Sequence, residues 1–347
     1  MQRTRHTRDT KDKSNSRGIE SDTTMRYARP RVYASKCLGF AACWWNGQMM
    51  HSQFIESIRS FVDFVTHCPE VEIGLGAPRQ FIRIVMEGDQ RRLVQPATDS
   101  DLTDKMTKYV ENLINTLERI DGFVLKDGSP SCSINRVRYY SGPEKGAPIK
   151  TEGSGFFGGA VLERFEGTPI ESDGRLRNAK IRETYLTKIF MLADLRRVSD
   201  SGKMHELVKF HSRNKYLIMT FGQKYVPELG RIVSNAEKRP FTAVIDKYQE
   251  KLKEAINRTP RSTSIVNVMT KVYGYFSNQL SKREKETFQK MLQSFREGNL
   301  PLTSLRETLK MWAIRFDETY VEEQTIFHPF PEELNSICEK DAFKRAR

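Results

Sequence analysis

No stretch of this 347-residue chain holds the ~18 consecutive apolar residues that a membrane-spanning helix needs. The first 24 residues, MQRTRHTRDTKDKSNSRGIESDTT, carry almost no large apolar side chain and lack the apolar segment of a secretory signal. A disordered basic tail over residues 1–29 and a cytoplasmic protein are the expectations. Internal repeats and low-complexity blocks beyond that tail are absent. Cysteine is scarce and odd in number, five in all. With no export signal, that count argues against a disulfide framework and leaves metal, cluster or nucleophile roles. The tight Cys pairs of zinc ribbons are missing too, which makes a structural zinc a weaker reading than a cluster assembled from separate loops.

What is present suits two globular domains. Hydrophobic residues make up 38% of the chain and aromatics 10%, and the length is about twice that of a common domain. The net charge of +13 is unevenly spread. Residues 37–170 contain 14 Lys+Arg against 17 Asp+Glu, whereas residues 171–347 contain 33 against 23. A basic surplus on one half suggests a polyanionic partner, with a solvated basic surface as the plain alternative.

Periodicity divides the chain in the same place. RVYAS (31–35), FIRIVM (81–86) and GFVLK (122–126) read as strands, and QFIESIRSFVDFV (53–65) reads as an amphipathic helix. Leu102, Met106, Val110, Leu113, Leu117 and Ile120 line one face of a helix over about 101–119. Strands alternating with helices predict an α/β N-terminal domain with a mostly parallel sheet and flanking helices, whose sites form at the carboxyl ends of the strands. Beyond about residue 178 only helical patterns remain, which predicts an all-α C-terminal domain. The polar segment 166–178 reads as the connector.

Four cysteines fall in the α/β part: Cys37, Cys43, Cys68 and Cys132. Cys68 adjoins Pro69, Cys132 lies between two serines, and Cys37 and Cys43 share a segment with Gly39 and Gly47, so turns are expected to expose these thiols. From spacing alone, a metal or cluster site and a set of buried inert thiols are both open readings.

CLGFAACWWNG (37–47), CPEVEIGLGAPR (68–79), and SPSC (129–132) followed by GSGFFGG (153–159) resemble the motifs of the thiouracil desulfidase family (TudS) over about residues 30–165. The second half is similar to the YbgA-like helical domain through LVKFHSRNKYLIM (207–219), YVPELGRIV (225–233), VYGYFSNQLSKREKETF (272–288), LPLTSLRETLKMW (300–312) and YVEEQTIFHPFPEEL (320–334). A chain joining both modules resembles the RudS type of desulfidase. The domain reading is then a tail over 1–29, a TudS-like iron–sulfur domain over 30–170, a connector and helix over 171–200, and a YbgA-like, transfer RNA-binding helical domain over 201–340.

The resemblance implies a 4Fe-4S cluster held by Cys37, Cys68 and Cys132, with one iron open to take the sulfur of a thiolated pyrimidine. It implies Glu70 as proton shuttle and Ser129 as hydrogen-bonding relay in a non-redox hydrolysis of 4-thiouridine in transfer RNA to uridine, with release of hydrogen sulfide. Thiolated transfer RNA is the implied partner; no membrane and no protein partner is implied. Departures are visible. The glycine after Cys37 comes one residue earlier than in the family, and Cys43 is a fourth candidate ligand that would close the open iron. The alternatives are a desulfidase of free thiopyrimidine bases or nucleosides, a noncatalytic iron–sulfur RNA-binding or sensing protein, and, last, a redox protein.

Other motifs read more plainly. GSGFFGG lacks a dinucleotide or P-loop pattern, so a close-packed turn is expected there in preference to a phosphate site. Trp44 and Trp45 are candidates for core packing or for stacking on a flipped base. In the helical half, Lys209, Arg213 and Lys215 are the phosphate candidates, Lys238-Arg239 and Lys282-Arg283 extend such a surface, and His211 is expected in a core or domain contact, with direct RNA contact as the alternative.

Overall fold

A computed structural model describes residues 27–338 apart from Lys145 and Ala147. Of the tail read over 1–29, all but the last three residues lie outside the described residues. The α/β part runs β1 (Arg31–Ser35), α1 (Gln53–Ile58), β2 (Asp63–His67), β3 (Arg83–Glu87), β4 (Gln90–Gln95), β5 (Ser100–Asp101), α2 (Thr103–Thr116), β6 (Gly122–Leu125), β7 (Val137–Tyr140), β8 (Lys150–Gly153), α3 (Phe156–Arg164) and β9 (Ile170–Ser172). Helices follow: α4 (Ala179–Ser201), α5 (Met204–Phe221), α6 (Tyr225–Ser234), α7 (Phe241–Ile256), α8 (Ser262–Tyr273), α9 (Lys282–Arg296), α10 (Leu302–Arg315) and α11 (Thr319–Glu322). The two-part layout expected from periodicity is present.

The expected parallel sheet has the order β2-β1-β6-β9, with every pair parallel. Its inner strands are buried on both faces, which is why they read as unbroken apolar runs. Val32 and Ala34 of β1 and Val124 of β6 enter one core with α1 and α4, while Tyr33, Phe123 and Leu125 enter the opposite core with α2 and α3. The six positions expected on one face of the helix around 101–119 are all buried in that second core.

Two expectations need correction. The stretch 53–65 is helical only through Ile58; residues from Asp63 leave it as β2 and pair with Arg31–Ser35. The sequence FVDFVT is aromatic and β-branched, and over so short a window helical and strand periodicities select the same positions. β3 belongs to a second sheet, order β5-β4-β3-β7-β8, in which it forms an antiparallel hairpin with β4 across Gly88 and pairs in parallel with β7. Arg91 and Arg92 hide the strand pattern of β4.

α4 serves two cores. Tyr185, Leu186, Ile189 and Phe190 pack beneath the parallel sheet, and Met191, Leu192, Leu195 and Val198 pack into the helical half. Arg196 on the same helix pairs at 2.9 Å with buried Asp121, which also accepts the Arg31 N–H at 2.7 Å beside β1. The segment carrying Phe330 and Leu334 returns from the helical half to the sheet-side core.

The glycine-rich stretch is the close-packed turn expected. A Cβ at Gly158 would stand 2.1 Å from the Ser133 carbonyl oxygen and 2.7 Å from that of Cys132, and one at Gly155 would stand 2.5 Å from the Ser131 carbonyl oxygen. The start of α3 therefore rests directly on the main chain of the 130–133 loop. Gly158→Ala forces two backbones apart, and a loss of about 1–3 kcal/mol of unfolding free energy is expected in urea titration, against a smaller change for Gly146→Ala, where nothing stands within 4 Å and the backbone needs no positive φ.

Candidate functional site

Three adjacent parallel strands deliver the three cysteines. Cys37 follows β1 by two residues, Cys68 follows β2 directly, and Cys132 lies in the loop after β6. All leave from the carboxyl edge of the sheet, where α/β folds place their sites. Gly39, the early glycine, takes φ +88 in the turn just after Cys37, and its N–H donates to the Cys37 carbonyl at 3.0 Å. That left-handed turn folds the loop back, so that the Met50 N–H reaches the same carbonyl at 2.8 Å.

The thiols are not exposed, contrary to the turn chemistry around them. Cys37, Cys43, Cys68 and Cys132 are all buried, at 8% exposure or less, and none is in a disulfide. The neighbouring turn residues are buried with them, Ser129, Ser131 and Ser133 at 2% exposure or less, so these loops fold inward over the thiols, which are small apolar groups. Their mutual influence marks them as neighbours. Burial first, then the Cys132 and Cys68 sulfurs, push the Cys37 thiol well up, with Lys126 pulling the other way. Burial raises Cys132 to about 12, opposed by a hydrogen bond from Ser35, while Glu70 and Cys68 add to the rise. Cys68 is lowered to about 7 by a hydrogen bond from the Cys43 thiol, which is itself raised. Of that pair Cys68 ionises first, because the Cys43 thiol donates to it and the Val71 N–H supports its charge.

Glu70, buried beside them, has both oxygens engaged. Ser131 donates to Oε1 at 2.6 Å and Ser129 donates to it at 3.1 Å. Arg79 donates to Oε2 through Nε at 2.9 Å and through Nη2 in a buried ion pair. Arg79 Nη1 continues to the Cys43 carbonyl at 3.1 Å and the Gly76 carbonyl at 2.8 Å, so one guanidinium ties the loop after β1 to the loop after β2. Ser129 Oγ also accepts the Cys132 N–H at 3.1 Å and the Ser131 N–H at 3.3 Å. Ser129 thus caps the Cys132 turn and touches the carboxylate at once.

Sequence reasoning finds Cys37, Cys68, Cys132, Glu70 and Ser129, and the structure brings them together. It misses Arg79 and Ser131. Both lie inside the family-like motifs, but spacing carries no signal of which motif residue turns inward. Cys43 adjoins the group: its carbonyl is 3.8 Å from the Cys68 sulfur. Among the described residues no His, Cys, Asp or Glu group is gathered tightly enough for a single metal ion. A cube-shaped cluster spaces its cysteine sulfurs far more widely than that. Three free, buried thiols from three loops suit its soft irons.

The basic candidates of the helical half stand apart from this pocket. Lys209 and Arg213 border a cavity of about 390 Å³ with Asp194, Glu206 and His328, while the Lys215 ammonium lies 5.7 Å from the Tyr216 ring centre and outside that cavity. His211 makes the expected core contact, Nδ1 to the Tyr248 hydroxyl at 3.1 Å, and burial lowers its pKa. No helix among the described residues is long and apolar enough to cross a membrane.

Comparison with known proteins follows the same division. Residues 215–331 match a family described as a protein of unknown function, and the chain is 22% identical over 155 residues to the uncharacterized protein YbgA of Escherichia coli strain K12, spanning 44% of this chain and 92% of YbgA. A solved structure described as the 4Fe-4S-dependent thiouracil desulfidase TudS shares 26% identity with a TM-score of 0.35, covering 43% of this chain and 93% of that one. The cysteine pocket lies wholly inside residues 32–173, which match the family model described as 2-thiouracil desulfurase.

Proposed function

We propose that this protein is an iron–sulfur desulfidase that hydrolyses a thiolated pyrimidine, with 4-thiouridine of transfer RNA as its substrate. One observation carries the reading: within the segment that matches the 2-thiouracil desulfurase model, Cys37, Cys68 and Cys132 converge with a buried Glu70–Ser129–Ser131 group at the carboxyl edge of one parallel sheet. A 4Fe-4S cluster held by those three cysteines would, when bound, supply an open iron with affinity for soft sulfur.

The reaction exchanges C=S for C=O. Water gives its oxygen to the ring carbon, and its two hydrogens leave with the sulfur as hydrogen sulfide, so no electrons change hands. The chain's task is to hold the ring and manage two protons. Glu70 Oε1 takes the proton of the attacking water, and the Ser129 and Ser131 hydroxyls, both donating to that oxygen, are the path by which it is passed on. Arg79 balances the buried charge on Oε2 and leaves Oε1 to the Ser129 and Ser131 hydroxyls. Cys43 is read as a neighbour and not a ligand: its thiol is spent on Cys68. In the helical half, Lys209, Arg213 and Lys215 bind RNA phosphates and deliver the base to the other half.

Nucleoside mass spectrometry tests the substrate. After anaerobic incubation of iron-loaded protein with thiolated transfer RNA, 4-thiouridine is expected to become uridine, with none converted by Cys132→Ser; conversion of 2-thiouracil but not of transfer RNA would move the assignment to free bases. Glu70→Gln is expected to lower kcat/KM per bound iron by about 10²–10⁴-fold, and Cys43→Ser to keep both iron and activity; iron loss in Cys43→Ser would support four-cysteine ligation. Transfer RNA binding by the full chain should weaken with salt at a log–log slope of about −0.7 to −0.9 per phosphate contacted, and Lys209→Ala should reduce that slope by about 1. Salt-independent binding would remove the RNA role.

A further inference from the structure

The pair Trp44-Trp45 has no part in the chemistry above, and the structure separates its two members. Trp44 is half-buried, packs against the core beneath the parallel sheet, and has the Lys126 ammonium 5.4 Å from its ring centre. Trp45 keeps 46% of its surface exposed.

Its main chain, however, is fixed from several sides. The Gly47 N–H donates to the Trp44 carbonyl at 2.8 Å and the Trp44 N–H to the Gln48 carbonyl at 3.1 Å, which closes a tight turn with Trp45 in its second position. Asn46 Oδ1 accepts the Gln48 N–H at 3.1 Å within the same turn. Gly47 takes φ +77, and a Cβ there would stand 3.5 Å from Pro78, so the turn rests on the loop before Arg79. The Arg79 N–H then donates to the Trp45 carbonyl at 2.7 Å.

Arg79 is also the residue whose guanidinium holds Glu70 and the Cys43 carbonyl. One residue therefore holds the main chain of the turn that carries the exposed indole and, through its side chain, the buried carboxylate beside the cysteines. Two more exposed apolar side chains, Met49 at 54% and Phe81 at 47%, belong to the same two loops.

We infer that Trp45 is the stacking platform that receives the pyrimidine ring of the substrate at the pocket mouth. The inference rests on the desulfidase reading for the identity of the ring. A large apolar ring left in water on a main chain already immobilised has little further entropy to lose when a flat partner covers it. Every nucleobase offers such a face, and stacking reads no hydrogen-bond pattern. Trp45 thus holds the ring whichever position carries sulfur, and the selection of that position falls to the buried carboxylate, serines and thiols. The basic surplus of residues 171–347, 33 Lys+Arg against 23 Asp+Glu, favours a ring that arrives on a polyanion held by the helical half.

Isothermal titration calorimetry of the full-length chain with 2-thiouracil, and with a short oligoribonucleotide carrying one 4-thiouridine, tests this under anaerobic conditions. Trp45→Ala is expected to raise Kd by roughly 5- to 150-fold for at least one of the two probes, and Trp45→Phe, which keeps a ring, by less than about threefold. A loss confined to the oligoribonucleotide supports the platform for a base within RNA, and a loss for both supports it for the free ring as well. Trp45→Ala protein that is folded by circular dichroism and binds both probes as tightly as the unsubstituted chain overturns the inference, as does absence of binding by the unsubstituted chain. If binding falls in Trp45→Ala while the unsubstituted, iron-loaded chain converts no thiopyrimidine, the platform stands and the desulfidase reading fails. If the unsubstituted chain converts a thiopyrimidine and Trp45→Ala binds both probes unchanged, the desulfidase reading stands and the platform fails.

Discussion

β1 pairs in parallel with β2 on one side and β6 on the other, and that arrangement fixes where every loop of the sheet must emerge. Parallel strands release their chain on a common edge, so residues 37, 68 and 132, far apart along the chain, arrive in one place without any local motif bringing them there. The register Ala34↔Thr66 and Ala34↔Val124 ties the penultimate residues of the three strands across one line. Burial on both faces makes this register hard to slip, because a shift of one residue would exchange the two cores.

Charge is the second constraint on the pocket. A buried carboxylate is tolerated only when paired, and Glu70 meets that condition through Arg79 and two serines. Losing one partner of such a pair costs about 3–5 kcal/mol, so the pocket's acid and the loops that Arg79 ties together stand or fall as a unit. The same guanidinium reaches the Cys43 carbonyl, and the Arg79 backbone holds the loop under Trp45. The chemistry inside and the aromatic surface outside therefore share one support.

The helical half is joined to this pocket by more than a linker. α4 gives its first turns to the sheet-side core and its last turns to the helical core, and Arg196 links it to Asp121 at the foot of β6. The return of Phe330 and Leu334 adds a second bridge. A polyanion gripped by Lys209 and Arg213 would thus be held by a body that shares a helix with the catalytic sheet.

Local pattern alone determined much of this. The two-part division, the central strands 31–35 and 122–126, the helix face from Leu102 to Ile120 and the helices after residue 178 all follow from periodicity, because each is a regular element with one dominant apolar signal. The identity of the cysteines, Glu70 and Ser129 as a group came from motif resemblance. Tertiary structure decided the rest. It turned 63–67 into a strand because an open parallel edge beside β1 outweighs the helical pattern of the preceding turn. It buried thiols that sit among turn residues, since the direction of a side chain depends on what the loop folds over and not on its neighbours in sequence. It also chose Arg79 and Ser131 as the partners of Glu70 and left Trp45, not Trp44, facing solvent. Those are properties of loops meeting across a sheet edge, and no spacing within a single loop encodes them.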